Sequence, residues 1–269
     1  MNSFFDEKSA QEGESTDDRR EPSKMASLGR KTVYLLPNSF TTASLFFGIY
    51  AIVQAANNAF EVAAIAIFCS MVLDGMDGRI ARYTNTQSEF GVQYDSLADM
   101  VAFGVAPALI LYDWQLKGLG KFGWVATFVY VTGAALRLAR FNVKTGSVDK
   151  RWFQGLPSPA AAALTAGLVW LVVDGRLSLD PVVLPWLVWG VAVFAGISMV
   201  SSLPFYSFKV LDLGAKISFP AFLVVILAFC LIFLGPSVAL CGFFLFYGLS
   251  GYVIGAMRLF RRRKQKKLK

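Results

Sequence analysis

The sequence predicts an all-α polytopic membrane protein, a bundle of about eight transmembrane helices with both termini on the cytoplasmic side. Three observations predict it. Of 269 residues, 55% are hydrophobic and only 16% charged, against roughly 25% charged in an ordinary soluble domain. Apolar runs long enough to cross a ~30 Å hydrocarbon core recur from Val33 almost to the C-terminus. Lysine and arginine, finally, are segregated between the two sets of connecting segments. A soluble globular fold is excluded.

Taken in order, residues 1–30 read as a disordered cytoplasmic tail: the first 27 hold seven acids, no periodic apolar pattern and no apolar stretch of the signal-peptide kind. Spans are expected at about 33–53, 59–76, 91–112, 122–138, 156–173, 181–200, 217–234 and 237–257. Together they form one transmembrane domain, residues 31–258, followed by a basic tail, 259–269. With both termini cytoplasmic, 23 of the 26 Lys and Arg residues lie on the cytoplasmic side, leaving Lys117, Lys121 and Arg176 opposite. That asymmetry sets the orientation. It also accounts for most of the +8 net charge, so no nucleic-acid partner is expected. The terminal run RLFRRRKQKKLK anchors the cytoplasmic face and suits anionic lipid head groups as well.

Histidine is absent, which removes Ser-His-Asp and Cys-His catalysis, His-built zinc sites and phospho-histidine intermediates. Cys69, Cys230 and Cys241 sit in apolar runs without metal-ligand spacing and read as small core residues. The chemistry is left to carboxylates, hydroxyls, amides and basic groups.

Of the eleven acids beyond the tail, seven lie near span ends or in loops, and four do not: Asp74, Asp77, Asp95 and Asp99. They fall at the cytoplasmic end of the second span and the start of the third, where an ionised carboxylate costs several kcal/mol unless paired or bound to a cation. Asp74 and Asp77 are i, i+3, with Gly78 and Ala81 completing one face; Gly91, Asp95 and Asp99 are i, i+4, i+8 on the next helix. Two antiparallel helices would thus face each other with two carboxylates apiece. Hard oxygen ligands at that density suit Mg²⁺ or Mn²⁺, as one ion or two, and such ions suit phosphate. Gly78 and Gly91 leave room for a ligand or a neighbouring backbone. The competing reading is a buried ion network with Arg79, Arg82, Arg137 and Arg140, which gives no reason for two helical stripes of acid.

The stretch DGMDGRIARYTNTQSEFGVQYDSLAD, Asp74 to Asp99, carries D-x2-D-G-x2-A-R-x8-G-x3-D-x3-D with all eight fixed positions filled. In this it resembles the CDP-alcohol phosphotransferase family, integral membrane enzymes that take a CDP-activated alcohol, displace CMP and join the phosphoryl group to a second alcohol. The resemblance implies that Asp74, Asp77, Asp95 and Asp99 hold two divalent ions across a pyrophosphate. It further implies that Asp95 and Asp99 are catalytic, Asp99 as general base, and that Gly78, Ala81, Arg82 and Gly91 line the nucleotide side. Beyond the signature, LPNSFTTASLFFG from Leu36, RLARFN from Arg137, FQGLPSPAAAAL from Phe153 and SFK from Ser207 are similar to the phosphatidylserine synthase branch, over roughly residues 33–212. CDP-diacylglycerol and L-serine are then the expected substrates. The cytoplasmic (inner) membrane is the expected location, with the active site on the cytoplasmic side, and a homodimer is the expected assembly.

The residues themselves agree in kind. Pro37 is expected to break the chain near the entrance of the first span. Asn38 and Thr41, i and i+3, reach toward a phosphate or ribose, or else cap a helix start. Arg137 and Arg140 follow the fourth span on one face, as holders of phosphate or serine carboxylate or as positive anchors. Asn142, Lys209 and Ser158 are weaker candidates, Ser158 reading first as a residue that stabilises its Pro-flanked turn.

Rival readings are an acceptor other than serine (glycerol 3-phosphate, an inositol phosphate or choline), intramembrane prenyl transfer, and an Asp-lined cation transporter. Prenyl transfer wants two Asp-rich loops far apart in sequence and has no need of the G-x2-A-R after Asp77. A transporter wants related halves with acids or broken helices near the midplane, and neither a repeat nor a second acidic cluster is present.

Overall fold

The computed structural model describes residues 24–83, 88–143, 152–206, 226, 230 and 233–267. α1 (Lys24–Ala56) and α2 (Phe60–Tyr83) form an antiparallel hairpin. It turns at Asn58, whose φ of 60° is one that asparagine tolerates. α3 (Glu89–Asp99) runs through a π-helical turn, Met100–Val105, into α4 (Ala106–Trp114). A short 3-10 turn, Leu116–Leu119, leads to α5 (Lys121–Val143), followed by α6 (Ser158–Val173), α7 (Val183–Val200) and α8 (Pro236–Lys267). Most of the span expected at 217–234 lies outside the described residues.

Among the described residues five helical stretches are long and apolar enough to cross a membrane: Asn38–Ala56, Glu89–Trp114, Lys121–Val143, Val183–Val200 and Pro236–Arg258. The chain is therefore an integral membrane protein. α2 has the length but carries Glu61, Asp74, Asp77 and Arg79. α6, with 16 residues, spans about 24 Å at 1.5 Å per residue. It is the central helix, buried continuously from Ala160 to Val169, and its alanine run lets neighbours approach on every side.

Between membrane helices the contacts come from small residues, because lipid tails leave no hydrophobic gain for association. Gly133 of α5 lies against the Gly196 carbonyl of α7, and a Cβ there would collide with it. A Cβ on Gly48 of α1 would stand 2.7 Å from the Ala102 Cα in the π turn, and one on Gly167 of α6 3.0 Å from the Cys241 Cα in α8. Away from the carboxylate end, Trp189 Nε1 donates to the Phe122 carbonyl at 3.0 Å and Phe122 packs on Trp186, an arrangement typical of an interfacial aromatic belt.

Two prolines bear on the carboxylate end and its support. α1 runs straight through Pro37, where a break is expected, and its apolar spanning part begins at the next residue, Asn38. A membrane helix tolerates the N–H that proline removes when neighbours satisfy the freed carbonyl. The π turn has a similar origin. Pro107 has no N–H to offer the Phe103 carbonyl four residues back, and the Ala106 N–H reaches five back, to Val101. The Tyr130 hydroxyl of α5, fully buried, donates to the Phe103 carbonyl instead, at 3.2 Å.

Two three-residue strands, β1 (Trp152–Gln154) and β2 (Pro204–Tyr206), pair antiparallel with Phe153 opposite Phe205. β1 leads into α6 and β2 comes after α7, so the ribbon closes one end of the bundle. Gly155, at φ 83°, makes the turn from β1 against the Met199 carbonyl, where a side chain would collide.

Candidate active site

The ribbon end of the bundle is where the carboxylates meet. Asp74 from α2 and Asp95 and Asp99 from α3 each bring one oxygen to within 4.8 Å of the others. All three are half-buried, and Asp95 Oδ1 is fully enclosed. Asp77 is not in this group: it is 7% exposed and accepts a 2.7 Å hydrogen bond from Thr41 Oγ1 of α1. Three of the four acids thus form one cluster, and the fourth is held beside it by α1.

The facing of two carboxylate-bearing helices that the spacing suggests is met in part, with three of the four carboxylates brought together from α2 and α3. Among the described residues α1 packs along α2 and also meets α3, the π turn and α4, while α2 and α3 pack little against each other. α1 is their shared partner: it carries Gly48 against Ala102 and Asn38 beside Gly91. Gly78 faces open space, with nothing within 4 Å of a Cβ placed there. At Gly91 the room is taken, since a Cβ would stand 3.1 Å from Ser88 Oγ and 3.5 Å from Asn38 Oδ1. Ser88 caps α3, accepting from the Gly91 N–H at 3.0 Å.

Asn38 and Thr41 are not helix caps, because α1 begins at Lys24. Thr41 serves Asp77. Asn38 sits against the first turn of α3, where Thr42 also bonds Tyr94 at 2.9 Å. Arg137 and Arg140 belong to the last two turns of α5 rather than coming after it. Arg137 donates to Ser158 Oγ at 2.6 Å and lies within electrostatic reach of Asp99 and Asp74. Arg140 donates to the Ser201 carbonyl at 3.4 Å, on α7's C-terminal side. Ser158, fully buried at the first turn of α6, therefore does more than stabilise a turn: it orients Arg137. Asn142 accepts from Ser96 Oγ at 3.1 Å, tying α5 to α3 beside Asp95. Ala81 and Arg82 lie in the last turn of α2. Lys209 lies outside the described residues.

Several residues without a mark in the sequence belong to this assembly. Ser96 and Tyr94 join α3 to its neighbours. Tyr247 of α8 donates to the Tyr206 carbonyl at 3.0 Å and lies near Arg137, so the last helix reaches the site's edge. Ser44 and Ser70 bond each other between α1 and α2. Tyr94 and Ser96 occupy variable positions of the Asp74–Asp99 stretch, and the others have no sequence signal beyond being hydroxyls among apolar residues.

The donor set is one of hard carboxylate oxygens, with no histidine in the chain and no cysteine in the cluster. Partly buried carboxylates this close repel unless a cation or proton intervenes, and oxygens of this kind suit Mg²⁺ or Mn²⁺. The residues present fit such an ion.

Residues 34–198 match the family described as CDP-alcohol phosphatidyltransferase. A Helicobacter pylori (strain J99) protein named CDP-diacylglycerol-serine O-phosphatidyltransferase is 38% identical over 224 residues, 82% of this chain and 92% of its own length. A Methanocaldococcus jannaschii protein of the same name is 30% identical over 228 residues, 84% of this chain and 98% of its own. One from Mycobacterium leprae is 39% identical over 140 residues, 50% of this chain and 46% of its own. With more than half of its length matched and three of its signature aspartates meeting at one end of the bundle, the chain belongs to the CDP-alcohol phosphatidyltransferase family.

Proposed function

We propose that this protein makes phosphatidylserine, transferring the phosphatidyl group of CDP-diacylglycerol to the hydroxyl of L-serine and releasing CMP. The observation that carries the reading is the meeting of Asp74, Asp95 and Asp99, from two helices, within 4.8 Å at the positions of the signature. The names of the relatives support the choice of serine.

Asp74, Asp95 and Asp99, with Asp77 beside them, would hold one or two Mg²⁺ or Mn²⁺ ions. Bound there, such ions neutralise the pyrophosphate and stabilise CMP as it leaves. Thr41 donates to the Asp77 carboxylate and so fixes its position. The open side at Gly78, with Ala81 and Arg82 on the same helix, admits the cytidine end, and Asn38 closes the α3 side near Gly91. Asp99 takes the proton from the serine hydroxyl, which attacks phosphorus in line. Arg137, oriented by Ser158, is placed to hold the serine carboxylate or a phosphate oxygen, with Arg140, Asn142 and Lys209 as outer contacts. The acyl chains stay in the bilayer throughout, because the site lies at one end of the spanning helices.

By the positive-inside rule that end faces the cytoplasm, with eight spans, both termini inside, the N-terminal tail and basic C-terminal tail flanking one domain, and the inner membrane as location. A homodimer is the proposed assembly.

The test is CMP release by purified protein given CDP-diacylglycerol and Mn²⁺ or Mg²⁺, comparing L-serine with glycerol 3-phosphate, inositol phosphate and choline. Serine-dependent release that disappears in Asp99→Asn is expected. Release with a different acceptor would overturn the choice of serine, and release unaffected by Asp99→Asn would overturn the role of the cluster.

A further inference from the structure

Several hydroxyls inside these helices bond a carbonyl of their own helix, as Thr42 does with the Asn38 carbonyl, Ser96 with Val92 and Thr127 with Gly123, a common habit of Ser and Thr in helices. Ser44 of α1 and Ser70 of α2 do not. Ser70 Oγ donates across the interface to the Ser44 carbonyl at 2.9 Å, Ser44 Oγ stands 3.1 Å from the Ser70 carbonyl, and the two hydroxyls are 2.8 Å apart. Both residues are buried, at 2% and 0% exposure. Each helix thus reads the other's backbone at one height.

That height governs the carboxylates further along the hairpin. Asp74 is one turn beyond Ser70 on α2. Thr41, three residues before Ser44 on α1, holds Asp77. On the same helix Gly48 and Asn38 fix α1 against the π turn and the first turn of α3. α1 is therefore the reference against which both carboxylate-bearing helices are set, and the serine pair sets α2. A slip of one residue moves a helix by about 1.5 Å, about a third of the 4.8 Å within which the three carboxylate oxygens meet.

We infer that Ser44 and Ser70 are positioning residues for the metal site, a hydroxyl clasp that fixes the axial register of α2 so that Asp74 meets Asp95 and Asp99. The inference rests on the metal reading proposed above. Neither serine touches substrate. Their effect passes through the geometry of the carboxylates, so it is read in ion affinity more than in the chemical step.

The experiment measures Mn²⁺ binding to the detergent-solubilised full chain without lipid substrate, from the electron paramagnetic resonance signal of free Mn²⁺. Thermal midpoints and kcat at saturating Mn²⁺ are measured in parallel. Ser44→Ala and Ser70→Ala are expected to weaken Mn²⁺ binding about tenfold, the scale seen when residues supporting metal ligands are changed, with kcat largely recovered at saturating ion. Ser44→Cys, close in size with a weaker donor, is expected to fall between wild type and Ser44→Ala, and it decides the matter where the alanine variant does not fold. Wild-type affinity within twofold in Ser44→Cys and in whichever alanine variant folds, whatever the thermal midpoints do, would overturn the inference. Absence of Mn²⁺ binding by the wild type would overturn the metal reading itself, a distinguishable failure.

Discussion

Replacing Tyr130 with phenylalanine tests the origin of the π turn. The hydroxyl is fully buried and donates at 3.2 Å to the Phe103 carbonyl, which Pro107 leaves without its usual helical donor. A buried acceptor left unsatisfied costs about 1–3 kcal/mol, while interhelical hydrogen bonds measured in membranes average about 0.6 and reach about 1.7 kcal/mol. The membrane average is low because the separated helices find other partners. Here proline denies the carbonyl that alternative, so a loss near the upper membrane value, about 1.5 kcal/mol, is expected. The second half of the cycle is Pro107→Ala, which restores an N–H four residues after Phe103. On that background Tyr130→Phe should cost less than about 0.5 kcal/mol, because the carbonyl then has a donor in its own helix. The assay is equilibrium unfolding in mixed detergent of wild type, both single variants and the double variant, with the coupling energy taken from the four. Equal cost of Tyr130→Phe on both backgrounds would refute the reasoning and assign the effect to the hydroxyl's packing alone.

Three further outcomes are expected. Gly133→Ala should destabilise by about 1–3 kcal/mol because its new methyl would strike the Gly196 carbonyl. Gly75→Ala, with nothing within 4 Å, should be neutral or gain up to about 1 kcal/mol from helix propensity, and detergent unfolding compares the two. Thr41→Val, which removes the 2.7 Å bond to Asp77, should raise the Mn²⁺ concentration for half-maximal CMP release about tenfold; an unchanged midpoint would detach Asp77 from the ion. Exhaustive chelation should abolish CMP release and readdition of Mn²⁺ or Mg²⁺ restore it, whereas activity that survives chelation would refute a metal-dependent site.

The site is legible in the sequence to the extent that its chemistry is costly. Four carboxylates at helical spacing inside apolar runs stand out because lipid makes each of them expensive, and Asp74, Asp95 and Asp99 do converge. The supporting hydroxyls are not legible. Ser44, Ser70, Ser96 and Tyr130 cost little wherever an acceptor is in reach, so nothing in composition marks them, and the partners that tie them to other helices lie 26 or more residues away. Pro37 reads as a break only under a local rule that takes no account of neighbours, and the helix continues through it. Ser158 reads as a local turn residue when its partner is Arg137, 21 residues back.

Sequence alone determined the integral membrane class and the carboxylate signature, since both come from local patterns: apolar length against the bilayer, and acid at helical period. Tertiary structure decided that α1 packs against both carboxylate-bearing helices. It also decided that Asp77 is held apart by Thr41 and that Arg137 answers to α6. Those choices depend on which small residues let backbones approach and at what height two helices stop sliding. Packing between distant segments sets that height, and no single segment encodes it.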